Sequence, residues 1–174
     1  DWIKKEYLLK INSIVSKHNN KVTLLHCNNA YPTPISDINL NTIPDLLKRT
    51  IYKVGLSDHT TSTLTPALAV AAGATTIEKH FTLDRNLPGP DHAFALEPNQ
   101  LKEMIDEIIS TEIMMGGIKG EYSKSELNFT KARRSIVAKT NIKKGDILTI
   151  NNITTKRPYL EGNVAASKWD DILG

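Results

Sequence analysis

The sequence predicts a parallel α/β fold, the C-terminal portion of a (β/α)8 barrel, followed by a small and incomplete β-rich module. Short apolar runs alternate with helical patterns over the first 117 residues, and the candidate strands begin about 23 to 30 residues apart, the rhythm of βα units. A closed barrel takes about 250 residues. The 174-residue chain contains three such strands before Gly120, after which the alternating pattern of strands and helices ends. We therefore expect the last three units of a barrel.

The first half of the predicted barrel portion contains a helix, a strand and a second helix. The run "VTLLHC" at residues 22–27 is interpreted as a buried strand, with Cys27 as a buried strand residue. Apolar residues at helical spacing predict the helices on either side of it. They are Ile3, Tyr7, Leu8, Ile11, Ile14 and Val15 before the strand, and Leu40, Ile43, Leu46 and Leu47 after it.

Two more strands and two more helices complete the pattern. The runs "YKVGL" at residues 52–56 and "TTIEKHF" at residues 75–81 predict strands. Between them "TPALAVAAGA" predicts a small-residue helix, with Pro66 in its first turn and Gly73 near its end. The last helix begins near Pro98 and stops at the pair Gly116 and Gly117. Its apolar stripe is Leu101, Met104, Ile105, Ile108 and Ile109.

The β-rich module is predicted from short β-branched runs that begin near Ala132. "SIVAKT", "ILTI" and "NITTKRP" are interpreted as strands, and "NIKKGD" as the turn after the first of them. The expected boundaries are residues 1–119 for the barrel portion, 120–131 for a polar linker and 132–174 for the module.

Composition and charge exclude several classes of protein. The net charge is only +3, and only two aromatic residues, Tyr122 and Phe129, fall among the ten Lys and Arg of residues 119–158, so a solvated basic surface is favoured over nucleic-acid binding. Cys27 is the single cysteine, which excludes a disulfide framework and suits the reducing cytoplasm. No apolar run approaches the length of a membrane span. The chain begins at Asp1 within an amphipathic pattern and is expected to be part of a longer protein.

Polar residues lie at or just beyond the end of each of the three predicted strands. Ligands of parallel α/β folds bind beyond the carboxyl ends of the strands, so these positions are the candidate site. They are His26, Cys27, Asn28, Asn29 and Tyr31 at the end of the first strand and just beyond it, Ser57, Asp58, His59 and Thr60 at the end of the second, and Glu78, Lys79 and His80 at the end of the third, followed by Asp91 and His92.

His59 and His80 occupy equivalent ends of neighbouring predicted strands. Adjacent strands lie about 4.8 Å apart, so the two imidazoles can share one divalent ion and leave positions on it for water and substrate. The alternative is that each histidine is an ordinary polar residue at the barrel rim. Similar alternatives hold for Asn29 and Ser57 as turn or helix caps, and "PGPD" is first of all a rigid turn.

Four ordered motifs together resemble the sialic acid (N-acetylneuraminate or nonulosonic acid) synthase family, the NeuB-like enzymes. The motifs are "LLHCNNAYPTP", "VGLSDHT", "IEKHFTLDR" and "LPGPDHAFALEP". The segment "RRSIVAKTNIKKGDILTINNITTKRP" resembles the start of the family's antifreeze-like (SAF) domain. The resemblance extends from about residue 21 to residue 174. It implies a TIM barrel with a SAF domain and a domain-swapped homodimer, and it implies that this chain alone is inactive without the N-terminal half of the barrel.

The resemblance also implies a role for individual residues. His59 and His80 match the family's two metal ligands, for Mn²⁺ in the first place and Mg²⁺ or Co²⁺ as alternatives. Asn29 and Ser57 match contacts to phosphoenolpyruvate. Tyr31 and Asp91 match residues on the N-acetylmannosamine side, and they are the catalytic candidates together with Glu78, which lies in the same polar wall.

The implied reaction condenses phosphoenolpyruvate with an N-acetylated aldohexose to give a nonulosonic acid and phosphate by C–O cleavage. The product is a sialic acid, or legionaminic or pseudaminic acid if the sugar is a diacetamido hexose. Two other readings are weaker. A metal-dependent barrel hydrolase would want further ligands such as a His-x-His pair, and the β module could instead be a non-catalytic carbohydrate-binding unit.

Overall fold

A computed structural model of the chain describes residues 5–15, 22–129 and 132–174. The chain divides into two compact units, one ending at Gly116 and the other running from Gly117 to Gly174. Ile3, assigned to the first helix from the sequence, lies outside the described residues, as do residues 130 and 131 of the predicted linker.

The first unit alternates strands and helices as predicted. Its strands are β1 (Thr23–Cys27), β2 (Lys53–Asp58) and β3 (Ile77–Lys79). They form one parallel sheet in the order β1-β2-β3, so each connection joins neighbouring strands, as in a (β/α)8 barrel. The helices are α1 (Lys5–Val15), α2 (Thr42–Arg49), α3 (Leu64–Ala71) and α4 (Pro98–Met115).

The central strand β2 is the most deeply buried of the three. Val54 and Leu56 are fully covered and pack with Ile43 and Leu46 of α2 and with Ala69 of α3. Alternate side chains of a strand point to opposite faces, yet β2 is apolar or buried on both, as expected for a parallel strand covered by helices. β2 also runs two residues further than the predicted 52–56, ending at Asp58, whereas β3 is shorter than the predicted 75–81.

Gly55 permits the close approach of β2 to the chain on either side. A Cβ atom at this position would lie 2.4 Å from the carbonyl oxygen of Thr76 and 2.6 Å from Cδ2 of Leu25. The backbone on that side cannot retreat, because the Leu56 amide donates to the same Thr76 carbonyl at 2.9 Å. Only glycine fits this step of the strand without displacement.

The helix α4 is delimited by local signals. Pro98 occupies its first turn, and Glu97 and Gln100 form a reciprocal capping box that satisfies backbone donors at the start. Gly116 ends the helix with φ at +27°, a value that L side chains rarely adopt. The end predicted at the glycine pair is therefore confirmed.

The second unit has a two-stranded antiparallel sheet of β4 (Ser135–Ala138) and β5 (Ile153–Lys156). Two short helices, α5 (Lys124–Leu127) and α6 (Trp169–Ile172), lie before and after it in the chain. The prediction of a strand at "ILTI" was wrong: Ile147 and Ile150 are exposed, and Asn152 holds the segment in a turn by contacts with Ile147 and Thr149. Among the described residues no helix combines the length and the apolar character needed to cross a bilayer.

Candidate active site

The register of the sheet brings the three strand ends to one edge. Cys27 pairs with Ser57, and Ser57 pairs in turn with Glu78. His59 follows β2 directly and His80 follows β3 directly. The polar residues that the sequence placed at the strand ends are therefore neighbours in space.

His59 and His80 lie side by side. Their ring centroids are 5.3 Å apart and the rings are inclined by 66°. His59 is buried, and its Nδ1 lies 2.7 Å from the backbone carbonyl of Asn28. Because a carbonyl only accepts hydrogen bonds, Nδ1 carries the proton and the neutral ring has its lone pair on Nε2.

The donor set fits a divalent ion with open coordination positions. A metal-bound histidine characteristically donates its other ring N–H to a carbonyl or carboxylate, and the contact from His59 to Asn28 has this form. Ser57 Oγ lies 3.5 Å from Nε2 of His59, but its proton is directed to Glu78, so the Nε2 lone pair is not used by the hydroxyl. Within residues 5–15, 22–129 and 132–174 no cluster of three or more His, Cys, Asp or Glu surrounds the pair.

Two aromatic rings cover the histidines. Tyr31 stacks on His59 with centroids 4.0 Å apart and meets the edge of His80 at 5.8 Å. Phe94 lies 4.9 Å from His80 and 5.5 Å from Tyr31. Stacking covers the face of a ring and leaves its nitrogens, which lie in the ring plane, accessible. Tyr31 is half exposed, whereas Phe94 is buried.

Ser57 and Glu78 form a second polar pair on the same side of the strands. The Ser57 hydroxyl donates to Oε1 of Glu78 at 2.6 Å, and the serine is buried while the glutamate is exposed. The buried hydroxyl is thus connected to a carboxylate that faces solvent. One hydrogen bond therefore links the interior of the site to its mouth.

Asp58 and Lys79 form a buried ion pair on the opposite side of the same strand ends. Lys79 Nζ lies 2.6 Å from Oδ2 of Asp58, with 4% and 0% of the respective side chains exposed. The ammonium also donates to the carbonyls of Thr60 and Ser62, the latter at 3.2 Å. Burial lowers the pKa of Lys79, and the hydrogen bond and charge of Asp58 oppose that shift.

The loop that carries Asp91 is tied down at two places. Nδ1 of His92 lies 2.7 Å from Oγ1 of Thr82, and Arg85 donates to the carbonyl of Ala95 and to the side chain of Gln100. Asp91 itself is exposed, directly before the short turn His92–Phe94 that brings Phe94 against His80.

The end of β1 contributes the side chain of Asn29 and the backbone carbonyl of Asn28, which contacts His59. It contributes no histidine to the pair. Asn29 is exposed, and its Oδ1 lies 3.5 Å from the Cys27 thiol. His26 is directed away, because its Nε2 contacts the carbonyl of Ile38 at 2.6 Å. The prediction that Cys27 is buried was wrong: it ends β1 exposed, with Sγ 3.9 Å from Nδ1 of His59.

Sequence reasoning missed the roles of Phe94, Asp58 and Lys79 in this geometry. Asp58 and Lys79 were noted only as polar residues at the strand ends, although each directly precedes one histidine of the pair. An acid and a base at the same step of neighbouring strands are a signal of a cross-strand ion pair. Phe94 had a weaker signal, an aromatic residue three positions after Asp91.

The fold and this edge of polar residues define a class: barrel-type α/β proteins with a ligand site at the carboxyl ends of the strands and a small β-rich unit after it. The chain belongs to the NeuB family, whose model matches residues 4–120. A model of the SAF domain matches residues 133–174. Both confirm the resemblance seen in the sequence.

Individual relatives point to the same family. The chain is 43% identical over 154 residues to the N,N'-diacetyllegionaminic acid synthase of Campylobacter jejuni, covering 88% of this chain and 46% of that protein. Among solved structures, the N-acetylneuraminic acid synthetase of Leptospira borgpetersenii in complex with citrate gives a TM-score of 0.66 at 34% identity, covering 74% of this chain and 45% of that one. The spore coat polysaccharide biosynthesis protein E of Chromobacterium violaceum gives 0.69 at 28% identity, over 95% of this chain and 51% of that one. The chain spans about half the length of the curated relatives it matches.

Proposed function

We propose that this chain is part of a nonulosonic acid synthase that condenses phosphoenolpyruvate with an N-acetylmannosamine-type aldosugar. Membership of the NeuB family and the identity to a legionaminic acid synthase support the proposal. The main observation behind it is the pair His59 and His80, whose ring centroids lie 5.3 Å apart. The backbone carbonyl of Asn28 fixes the tautomer of His59.

The overall reaction forms one C–C bond and breaks one C–O bond. The methylene carbon of phosphoenolpyruvate bonds to the aldehyde carbon of the open-chain sugar, and the aldehyde oxygen becomes a hydroxyl by gaining a proton. Water adds to the former enol carbon and loses a proton. Cleavage of the bond from that carbon to the phosphate oxygen releases phosphate, which takes up the remaining proton of the added hydroxyl, and the hydroxyl oxygen becomes the carbonyl of the 2-keto acid.

His59 and His80 are the residues that would hold a divalent ion, with Mn²⁺ as the first candidate. The ion would supply Lewis acidity toward the aldehyde oxygen. The protein holds the two imidazoles in place, through the Asn28 carbonyl for His59 and the packing of Phe94 for His80. Tyr31 covers the His59 ring and excludes water from that face.

Neutral donors serve the phosphoenolpyruvate side. The side-chain amide of Asn29 and the hydroxyl of Ser57 are assigned to its carboxylate or phosphate oxygens. The Ser57 hydroxyl donates to Glu78, so donation to a bound anion requires the hydroxyl to turn. A neutral donor suits this exchange because no buried charge is left unpaired when the partner changes.

The sugar side is assigned to Tyr31, Asp91 and Glu78. Tyr31 offers a half-exposed aromatic face, on which the apolar face of a sugar can lie, and a phenolic hydroxyl. Asp91 is an exposed acceptor for sugar hydroxyls. Glu78 is assigned the proton transfer, because its carboxylate is exposed and linked to the buried Ser57 hydroxyl at 2.6 Å.

A diacetamido hexose is a second candidate for the sugar. The observation in its favour is the 43% identity to a protein named N,N'-diacetyllegionaminic acid synthase, against 34% to one named N-acetylneuraminic acid synthetase. The diacetamido sugar has an acetamido group in place of the 4-hydroxyl of N-acetylmannosamine and lacks the 6-hydroxyl, so the choice rests on a local pocket rather than on the chemistry at the strand ends.

Phosphate release tests the proposal directly. The full-length protein is incubated with phosphoenolpyruvate, Mn²⁺ and either N-acetylmannosamine or 2,4-diacetamido-2,4,6-trideoxymannose, and product mass identifies the acid. We expect release that depends on both sugar and metal, with the incubation lacking sugar as the control. Absence of sugar-dependent phosphate with every hexose of this type would refute the synthase assignment. The proposed homodimer is tested separately, by light scattering of the same protein.

A further inference from the structure

The ion pair of Asp58 and Lys79 occupies the step directly before the two histidines. Asp58 and Lys79 are register partners of β2 and β3, and the next residues along the two strands are His59 and His80. Side chains alternate along a strand. The pair therefore lies behind the histidines, on the side of the strand ends that leads into α3.

The pair also fixes the turn on the far side of His59. Asp58 Oδ1 accepts from the backbone amide of Thr60 at 2.8 Å, and Oδ2 lies 3.2 Å from the Thr60 hydroxyl. Lys79 donates to the carbonyls of Thr60 and Ser62 as well as to Asp58. His59 thus lies between two residues, Asp58 and Thr60, that the same lysine holds from β3.

Stability alone does not account for such a pair. Two charges with 0% and 4% exposure have lost most of their hydration, and replacing a buried ion pair by neutral side chains is often neutral or stabilising. Its full set of hydrogen bonds instead restricts geometry, because each partner binds the other strand or the following turn. These contacts hold the backbone at the two positions from which the imidazoles project.

We propose that Asp58 and Lys79 are positioning residues that hold the ends of β2 and β3 together so that His59 and His80 can bind one divalent ion. The inference rests on the proposed function of the histidine pair. It assigns no contact with substrate to Asp58 or Lys79. Its effect passes through the backbone of the residues that follow each of them.

Three variants test the proposal. Lys79→Met removes the ammonium and leaves Asp58 buried without its partner, which destabilises the fold as well. The double variant Asp58→Asn with Lys79→Met leaves no unpaired buried charge and retains an acceptor for the Thr60 amide. Lys102→Met with Asp106→Asn is the matched control, since it removes an ion pair of the same type, 2.5 Å long, from the exposed side of α4.

Two readouts are measured on full-length protein. The first is the Kd for Mn²⁺ added alone, from the electron paramagnetic resonance signal of the free ion. Loss of a group hydrogen-bonded to a metal ligand typically weakens metal sites about 10- to 100-fold. Because Asp58 and Lys79 act through the backbone, we expect the lower end of that range, about 10-fold, for Lys79→Met and for the double variant, with the control within about twofold of wild type. The second, in the absence of metal, is the pair of imidazole ¹⁵N shifts of His59, expected to show one Nδ1–H tautomer in wild type and a mixture in the double variant.

The outcomes separate this inference from the function on which it rests. A folded double variant with unchanged Mn²⁺ affinity and unchanged His59 shifts overturns the positioning role. So does a double variant that fails to fold, because the pair would then be required for the fold itself. If wild type binds no Mn²⁺, the metal function fails, and the His59 shifts alone decide whether the pair positions the ring.

Discussion

The hydroxyl of Ser57 on β2 donates a 2.6 Å hydrogen bond to the carboxylate of Glu78, its register partner on β3. The serine is buried and the glutamate is exposed. Hydrogen bonds to a charged acceptor are shorter and stronger than those between neutral groups. This contact therefore orients both side chains, two residues before each histidine of the pair.

Replacement of Ser57 by alanine should lower kcat/KM for phosphoenolpyruvate by about 10- to 100-fold, because a directed donor is lost. The free energy of unfolding should fall by only about 1 kcal/mol. Steady-state phosphate release and urea unfolding measure the two effects. Ser36→Ala, which removes an exposed hydroxyl bound to Asp37, should change neither. Normal kcat/KM in Ser57→Ala would argue against the substrate contact.

Alanine at His59 or His80 should abolish saturable Mn²⁺ binding, because one imidazole cannot hold the ion at the affinity of two. Isothermal titration with Mn²⁺ measures the binding, and circular dichroism checks that each variant remains folded. His26→Gln serves as the control, since His26 contacts only the Ile38 carbonyl in the described contacts of its ring. Retention of wild-type affinity in either alanine variant would remove that histidine from the metal site.

Gly55→Ala should destabilise the first unit by about 1–3 kcal/mol or more, the range found for overpacked cores. The added Cβ meets a backbone carbonyl at 2.4 Å, and a carbonyl held in the sheet cannot move aside as a flexible side chain can. Urea unfolding gives the change. Gly117→Ala is the matched control because nothing lies within 4 Å of its Cβ position. Equal free energies of unfolding for the two variants would show that β2 can move away from the Thr76 carbonyl without loss of stability.

The second unit should lose a stabilising contribution in acid. Lys119 and the Ser123 backbone lower the pKa of Glu126 to about 2, from its ordinary value of 4.5. A depressed pKa in the folded state stabilises the protein fully above about 4.5 and loses its effect as the pH falls toward 2. An NMR titration of the Glu126 carboxyl should show the low midpoint, and Glu126→Gln should reduce the difference in unfolding free energy between pH 6 and pH 3. The exposed Glu121→Gln should leave that difference unchanged, and a Glu126 midpoint near 4.5 would contradict the contact.

The parallel order of β1, β2 and β3 was predictable because it follows from spacing and periodicity, which are local properties of the sequence. The proximity of His59 and His80 was predictable for the same reason. Both follow a strand directly, and equivalent ends of neighbouring parallel strands must meet at one edge.

Other features depend on contacts that no local pattern contains. The Asn28 carbonyl that fixes the His59 tautomer is a backbone group, and every residue has one. The strand predicted at "ILTI" failed because β propensity does not include competition from a nearby side chain. Asn152 satisfies the Thr149 amide and the Ile147 carbonyl locally, so these groups have less to gain from a ladder. Phe94 reaches His80 because the intervening loop folds back. The loop is held by side-chain contacts of Thr82 and Arg85 and by backbone hydrogen bonds of Leu96 with His80 and Thr82.

The alternation of side chains at the ends of β2 and β3 has a consequence for how this region can tolerate sequence change. A strand has a period of two, so deletion or insertion of one residue between Val54 and His59 exchanges its two faces. Asp58 would then turn toward the ligand edge, and a histidine would turn toward the apolar underside of α3. A substitution there alters the contacts of one side chain, whereas a change in length moves every following side chain of the strand to the opposite face. A deletion scan should therefore find this stretch far less permissive to indels than to replacements, apart from Gly55.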